Sequence, residues 1–257
     1  MEIRSATILG SGNVAFHLGK ALVQNGIRID AVYGRNQNHA DELANQLHAK
    51  AYADISLLSS ASDIYIICVK DTAIEEVSNQ LPKVAGMVVH TSGNTSMEAL
   101  WKHKRRGVLY PLQTISKNNS VDFKNVPLLL ETKLEEDIEA LKFLAKAFEA
   151  KHYIVDSEQR KIVHLAAVFA NNFTNHLYSI AQQILKANNL SFDMLKPLIL
   201  ETAHNIENHL PHEVQTGPAV RGDQSTIDKH LKLLNEMPEY KEIYALLSKG
   251  IQSKGGL

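Results

Sequence analysis

The stretch Ile8-Leu9-Gly10-Ser11-Gly12-Asn13-Val14-Ala15 constrains this chain more than any other. It follows a short apolar run, Ala6 to Leu9, and opens a helical pattern carrying Leu18 and Leu22 that stops at Gly26. Strand, glycine turn and helix in that order are the context that gives G-x-G-x-x-G/A its meaning as a dinucleotide site. Gly10 permits the tight turn. Gly12 lets the backbone approach a pyrophosphate at the helix N-terminus, where unpaired N–H groups and the helix dipole favour an anion. Ala15 is small enough for the helix to pack on the strand. Gly10, Ser11, Gly12, Asn13 and Val14 are the candidate contacts to the dinucleotide.

A site for NAD carries Asp or Glu at the end of the second strand, about 20 residues on, to hold the ribose hydroxyls. Here that place reads Val32-Tyr33-Gly34-Arg35-Asn36. No carboxylate repels a 2′-phosphate, and Arg35, with Asn36 beside it, can bind one bidentately. The residues point to NADP(H).

The rest of the first part repeats the alternation. Strand-like runs at 6–9, 29–33, 64–69, 87–90, 107–110, 127–130 and 152–155 alternate with helical patterns at 13–25, 39–47, 72–80, 97–102 and 134–149. This is the signature of an α/β Rossmann fold, a doubly wound, mainly parallel sheet with crossover helices. After Ser157 strand signals vanish, and helical patterns occupy 157–189, 193–209, 224–235 and 239–250. Ile162, Leu165, Phe169, Phe173, Leu177, Ile180 and Ile184 recur at a helical period and form one apolar face. Asp156-Ser157 caps the start of that helix and Asn188-Asn189 ends it. The expected organisation is an NADP-binding domain over 1–156 and an all-helical substrate and dimerisation domain over 157–257. The closing Lys254-Gly255-Gly256-Leu257 is expected to fray.

Ligands of open α/β sheets bind beyond the carboxyl ends of the strands, so the residues just after each strand carry the chemistry. Val69-Lys70-Asp71 passes near the adenosine half, with Asp71 reading most simply as a helix cap. His90-Thr91-Ser92-Gly93-Asn94 would place Ser92 near the nicotinamide ribose and the substrate; the plainer reading is a turn with cap chemistry. Tyr110-Pro111-Leu112-Gln113-Thr114 is a proline-stiffened loop on the same crevice, with Gln113 as a candidate substrate contact. On the first long helix, His164, Asn171 and Asn175 share a face opposite the apolar one, if the helix turns at about 100° per residue. His164 is the candidate for proton exchange with the reacting group, against a purely structural role. Thr216-Gly217-Pro218-Ala219-Val220-Arg221-Gly222-Asp223 is an ordered loop that can set Arg221 against a carboxylate. His204, His209 and His212 do not align on one helical face and Pro211 interrupts them, so no metal site is expected.

Composition narrows the classes. The chain has 257 residues, 44% hydrophobic and 21% charged, with a formal net charge of -1. That balance gives no footprint for nucleic acid or an anionic membrane surface, and no run approaches the ~18 apolar residues of a membrane span. The first residues lead directly into a strand, so no cleavable signal is expected. The single cysteine, Cys68, lies in an apolar strand and reads as core rather than nucleophile. A reducing, cytoplasmic compartment is expected.

With these pieces placed, the chain resembles the NADP-dependent reductase superfamily of pyrroline-5-carboxylate reductase, prephenate dehydrogenase, β-hydroxyacid dehydrogenase and deazaflavin-dependent NADP oxidoreductase. It is most similar to a branch that joins a Rossmann-like oxidoreductase domain to a C-terminal helical domain of unknown function. The stretches that carry this, over essentially the full length, are Gly10 to Ala15, His90 to Gly93, Tyr110 to Thr114, His164 to Asn172 and Thr216 to Asp223. The substrate-defining motifs of the named enzymes are not reproduced. Lys161 and His164 are followed by Leu165 and Val168 where β-hydroxyacid dehydrogenases have an asparagine, and Tyr110-Pro111 replaces the His-Pro of prephenate dehydrogenase. The resemblance implies hydride transfer between NADP(H) and a carbonyl or imine carbon of a small metabolite. His164 would handle the proton, Ser92 and Asn172 orient the reacting group, and Arg221 hold a carboxylate. It also implies a homodimer joined through the helices. The alternative from another class is a non-catalytic NADP(H) sensor whose helical part reports cofactor occupancy to a partner.

Overall fold

The computed structural model describes residues 2–117 and 119–254; Gly255 to Leu257, read above as frayed, lie outside them. Two compact units divide the chain, 1–170 and 171–257.

Unit 1 is built on a sheet of eight strands in the order β3-β2-β1-β4-β5-β6-β7-β8. They are β1 (Ser5–Leu9), β2 (Arg28–Tyr33), β3 (Lys50–Tyr52), β4 (Ile64–Ile67), β5 (Met87–His90), β6 (Arg106–Pro111), β7 (Leu128–Thr132) and β8 (His152–Ile154). All neighbours pair in parallel except β6 and β7. The helices are α1 (Asn13–Gln24), α2 (Gln37–Leu47), α3 (Ile74–Gln80) and α4 (Glu135–Ala147). Strands buried on both faces need continuous apolar runs, and β1 and β4 supply them: Ile8, Leu9, Ile64, Tyr65, Ile66 and Ile67 are all 0% exposed. One core layer packs Ile8, Leu18, Leu22, Leu43 and Leu141 on one side of the sheet; Leu9, Tyr65, Ile67, Ile74 and Leu100 form the other. This is the doubly wound fold expected. The sequence reading missed β3, which has three residues and an exposed start, too short for a period-two pattern to register.

The antiparallel step decides where the next helix begins. In the β6–β7 register Pro111 pairs with Leu128 and Gly107 with Thr132, so β7 runs back toward the start of β6, and β8 follows it in parallel. The chain therefore leaves β8 at the edge opposite the carboxyl ends of the parallel strands. The next helix, α5 (Ser157–Ala167), starts there with a capping box: Asp156 accepts from the Gln159 N–H at 2.8 Å, and Gln159 Oε1 accepts from the Asp156 N–H at 3.0 Å.

Beyond α5 the long helix is not uniform. Val168–Phe173 forms a π-helical segment before α6 (Thr174–Ala187). A helical wheel at a constant angle fails across such a segment. The shared face expected of His164, Asn171 and Asn175 therefore does not follow from a constant pitch; Asn171 and Asn175 are exposed and His164 is half-buried. Unit 2 continues with α7 (Lys196–Asn205), α8 (Gln224–Leu233) and α9 (Pro238–Lys254). Within it Tyr240 donates a short hydrogen bond to Gln183 Oε1, and His230 Nδ1 lies 2.8 Å from the Tyr244 hydroxyl.

Arg160 anchors α5. Its side chain is fully buried and ion-paired with Glu131 of β7, itself 12% exposed, and it donates to the Thr95 carbonyl at 2.5 Å. Removing one partner of a buried pair strands the other charge. Glu131→Ala is therefore expected to cost about 3–5 kcal/mol in urea unfolding. A Glu131→Ala, Arg160→Met double variant should recover much of that; if it is as unstable as the single one, the charge is not what the fold is paying for.

Candidate active site

Five loops at the carboxyl ends of the parallel strands, after β1, β2, β4, β5 and β6, and the α5 segment that passes them, hold the candidate residues of unit 1. After β1 the chain turns at Gly10, whose φ of 131° lies where side chains are strained. Its N–H donates to the Tyr33 carbonyl at 2.7 Å, and a Cβ there would collide with the Cys68 carbonyl, so the turn requires glycine. Gly12 differs: a Cβ on it would meet nothing within 4 Å, leaving open space over the first turn of α1. That helix has Gly12 as N-cap and no side chain capping it. The N–H groups of its first turn are thus presented to whatever enters the space, and a pyrophosphate fits that donor set. Ser11 and Val14 are half-buried at the same turn, and Asn13 donates from Nδ2 to the Ile115 carbonyl at 3.2 Å.

Arg35 follows β2, exposed and without an ion pair among the described residues. Asn36 beside it caps α2, accepting from the His39 N–H at 3.2 Å. Val69, Lys70 and Asp71 form the loop after β4. The expectation that Asp71 caps a helix is corrected: Lys70 holds the cap position, and Asp71 opens a single 3-10 turn with no side-chain capping bond. Gln113, exposed after β6, spends its Oε1 on the Thr114 N–H at 2.8 Å.

Ser92 is buried, and its Oγ accepts from the N–H groups of Asn94 at 3.1 Å and Thr95 at 2.9 Å. That is the turn chemistry weighed against a substrate role, and it shapes the carbonyl of Thr95 that Arg160 binds. His90, fully buried, accepts from the Ser92 N–H at 3.1 Å through Nδ1. His164 meets the same loop. Its Nδ1 lies 3.0 Å from the Tyr110 hydroxyl, and a Cβ on Gly93 would stand 2.7 Å from that nitrogen. Tyr110, Arg160 and Glu131 were not singled out from the sequence. Arg160, one turn before His164, had a signal: a cation at helical spacing from a candidate proton carrier. Asn172 and Arg221 belong to unit 2, where both are exposed; Asp223 caps α8, accepting from the Thr226 N–H at 3.0 Å. Among the described residues, no group of three metal-binding side chains is placed to hold an ion, and no helix is long and apolar enough to cross a membrane.

A crystal structure of a putative NADP oxidoreductase from Bacteroides fragilis is 39% identical, covers 98% of this chain and 99% of its own, and superposes with a TM-score of 0.88. The chain belongs to that protein's family. Residues 5–91 match the family described as NADP oxidoreductase coenzyme F420-dependent, and residues 126–251 match the domain of unknown function DUF2520. Two more distant likenesses concern the fold. A reductive aminase from Aspergillus terreus, in complex with NADPH and ethyl-5-oxohexanoate, is 13% identical with a TM-score of 0.74, over 100% of this chain and 96% of its own. A 1-pyrroline-5-carboxylate reductase from Streptococcus pyogenes is 15% identical with a TM-score of 0.64, over 97% and 98%. No curated protein matches the chain.

The His90 environment sets a pH dependence. Burial, with the Arg160 charge behind it, pushes the imidazole down to about 3. In the unfolded chain it titrates near its ordinary value of about 6.5. Between those values the unfolded state binds the extra proton, so this group's contribution is complete above about pH 6.5 and declines as pH falls toward 3. His90→Asn, which keeps an acceptor near Nδ1, should flatten the fall in urea-unfolding stability between about pH 6 and pH 4. An unchanged slope would place that loss on other groups.

Proposed function

We propose that this chain is an NADP(H)-dependent oxidoreductase that moves hydride to or from a carbonyl or imine carbon of a small, carboxylate-bearing metabolite. The observation that carries the reading is the uncapped N-terminus of α1 beneath open space at Gly12, with Arg35 at the end of β2 exposed and without an ion pair among the described residues. The Bacteroides fragilis relative, described as an NADP oxidoreductase, supports the same cofactor. Gly10, Ser11, Gly12, Asn13 and Val14 receive the pyrophosphate, Arg35 and Asn36 the 2′-phosphate, and Val69, Lys70 and Asp71 border the adenosine half. Bound there, the nicotinamide supplies or accepts the hydride. His164 exchanges the accompanying proton, Ser92 and Asn172 orient the reacting group, and Gln113 and Arg221 hold the rest of the substrate. In this reading 1–156 binds the cofactor, 157–257 completes the substrate site and joins subunits, and the protein works in the cytoplasm.

The cofactor assignment predicts that NADPH binds at least tenfold more tightly than NADH, a difference of ~1.4 kcal/mol. Arg35→Ala should erase most of the preference without unfolding the chain. Equal fluorescence-titrated affinities in the unmutated protein would sink it. Hydride transfer is tested on a panel of keto acids and cyclic imines, where at least one should consume NADPH.

The assembly proposed is a two-fold dimer through residues after Ser157. Its support is apolar surface that one chain leaves open: Ile162 is 67% exposed, Phe169 62%, Met194 66% and Leu246 71%, and Leu198, Leu200 and Leu233 are exposed as well. Large apolar side chains left exposed in this number along helices are the kind of surface that a second copy covers. Light scattering at micromolar concentration should give twice the mass of the 257-residue chain; a monomer would be the contrary result.

A further inference from the structure

Three segments distant in sequence meet at the ring of His164: Gly93 after β5, Tyr110 in β6, and His164 itself on α5. The Tyr110 hydroxyl lies 3.0 Å from His164 Nδ1, with the rings edge-on at 6.0 Å. A Cβ on Gly93 would come within 2.7 Å of both Nδ1 and the Cζ of Tyr110, so the pair closes only over a glycine. The direction of this hydrogen bond follows from what each group has left. The half-buried phenol has no other acceptor among the described residues. If Nδ1–H were the donor, the phenol proton would have to turn to solvent, whereas a phenol that donates to Nδ1 is satisfied within the protein. Burial also keeps that proton on the oxygen by raising the phenol above its ordinary range; the Asp71 charge adds to this and the Arg160 charge opposes it. The phenol therefore donates, Nδ1 accepts, and the neutral ring carries its own proton on Nε2. Nε2 has no protein partner among the described residues.

We propose that Tyr110 sets the tautomer of His164 and stands behind it as the proton source, so that His164 presents an Nε2–H donor to the substrate rather than a lone pair. This rests on the hydride-transfer reading above. In the reducing direction, hydride from the nicotinamide reaches the carbonyl or imine carbon and the two π electrons go to the heteroatom. The Nε2–H bond breaks and an O–H or N–H bond forms on that heteroatom, while the phenol proton moves to Nδ1. The phenolate left behind is opposed by the Asp71 charge and favoured by the Arg160 charge, one turn earlier on α5, so it is short-lived. A solvent proton taken up at Nε2, with return of the Nδ1 proton to the phenolate, restores the starting state. Tyr110 acts through His164 and is a positioning residue.

The test needs no known substrate. The full chain, labelled with nitrogen-15 at histidine, is examined by long-range proton–nitrogen correlation at about pH 8.5, above the ordinary imidazole range near 6.5. The His164 signals are those lost in His164→Gln. The expected result is an Nε2–H tautomer in the unmutated protein and a mixture of both tautomers in Tyr110→Phe, with circular dichroism and NADPH affinity unchanged. An Nδ1–H tautomer in the unmutated protein overturns the proposal, and so does a tautomer unmoved by Tyr110→Phe. The unmutated spectrum decides alone should the variant not fold. Absence of NADPH binding would instead count against the oxidoreductase reading and leave the tautomer result standing. With any substrate found on the panel, Tyr110→Phe should lower kcat by roughly 10²-fold at unchanged KM for NADPH; an equal kcat would overturn the relay.

Discussion

The contact on which the candidate site depends is the one Arg160 makes. A guanidinium with no exposed surface is held by the Glu131 carboxylate and the Thr95 carbonyl, and Ser157 Oγ donates to both oxygens of Glu131 at 3.0 Å. Burying two charges is expensive, and a well-packed apolar pair could be as stable. What this pair adds is position. Glu131 sits on β7, Thr95 in the loop after β5, and Arg160 one turn before His164, which a helix advances by about 6 Å. The same turn that Ser92 organises is thereby clamped to the helix that carries the imidazole. Ser92, proposed above to orient the reacting group, also supports that clamp from inside, its Oγ accepting from the N–H groups of Asn94 and Thr95.

Topology makes the clamp necessary. Had β7 continued in parallel, the chain would have emerged among the loops at the carboxyl ends, and a helix starting there would have led away from them. The reversal at β6–β7 and the parallel return of β8 instead start α5 at the far edge. From there it climbs past Val108, which pairs with Glu131, to the level of Tyr110. Two short strands thus deliver His164 from below, and a buried ion pair sets the height at which it arrives.

The parts of this arrangement that were legible in the sequence are those governed by local rules. The β1–α1 turn was readable because a glycine forced to positive φ, an apolar run before it and a helical pattern after it are each local. Arg35 was readable because its meaning lies in the residue type at a fixed place. The capping box at Asp156 was partly visible for the same reason. What escaped depended on partners far away in the chain. Nothing near Tyr110 announces that an imidazole 54 residues later will lie within hydrogen-bond distance of its hydroxyl. The partner of Arg160 lies 29 residues earlier on a strand, and its inward orientation is invisible without the sheet. The π-helical segment at Val168–Phe173 defeated a wheel drawn at constant pitch, because no glycine or proline in it announces the irregularity.

The carbonyl of Cys68 is the surface against which Gly10 turns, so this residue forms the floor of the proposed nucleotide loop while its sulfur packs in the core. Burial pushes the thiol up to about 12, with a weaker opposing pull from Thr91. At neutral pH the sulfur therefore stays a thiol. Soft nucleophiles add readily to electrophilic carbon, and an oxidised nicotinamide ring or a carbonyl substrate is such a carbon. The chain's single cysteine, one residue from that loop, is thereby silenced toward any electrophile that the proposed site would hold.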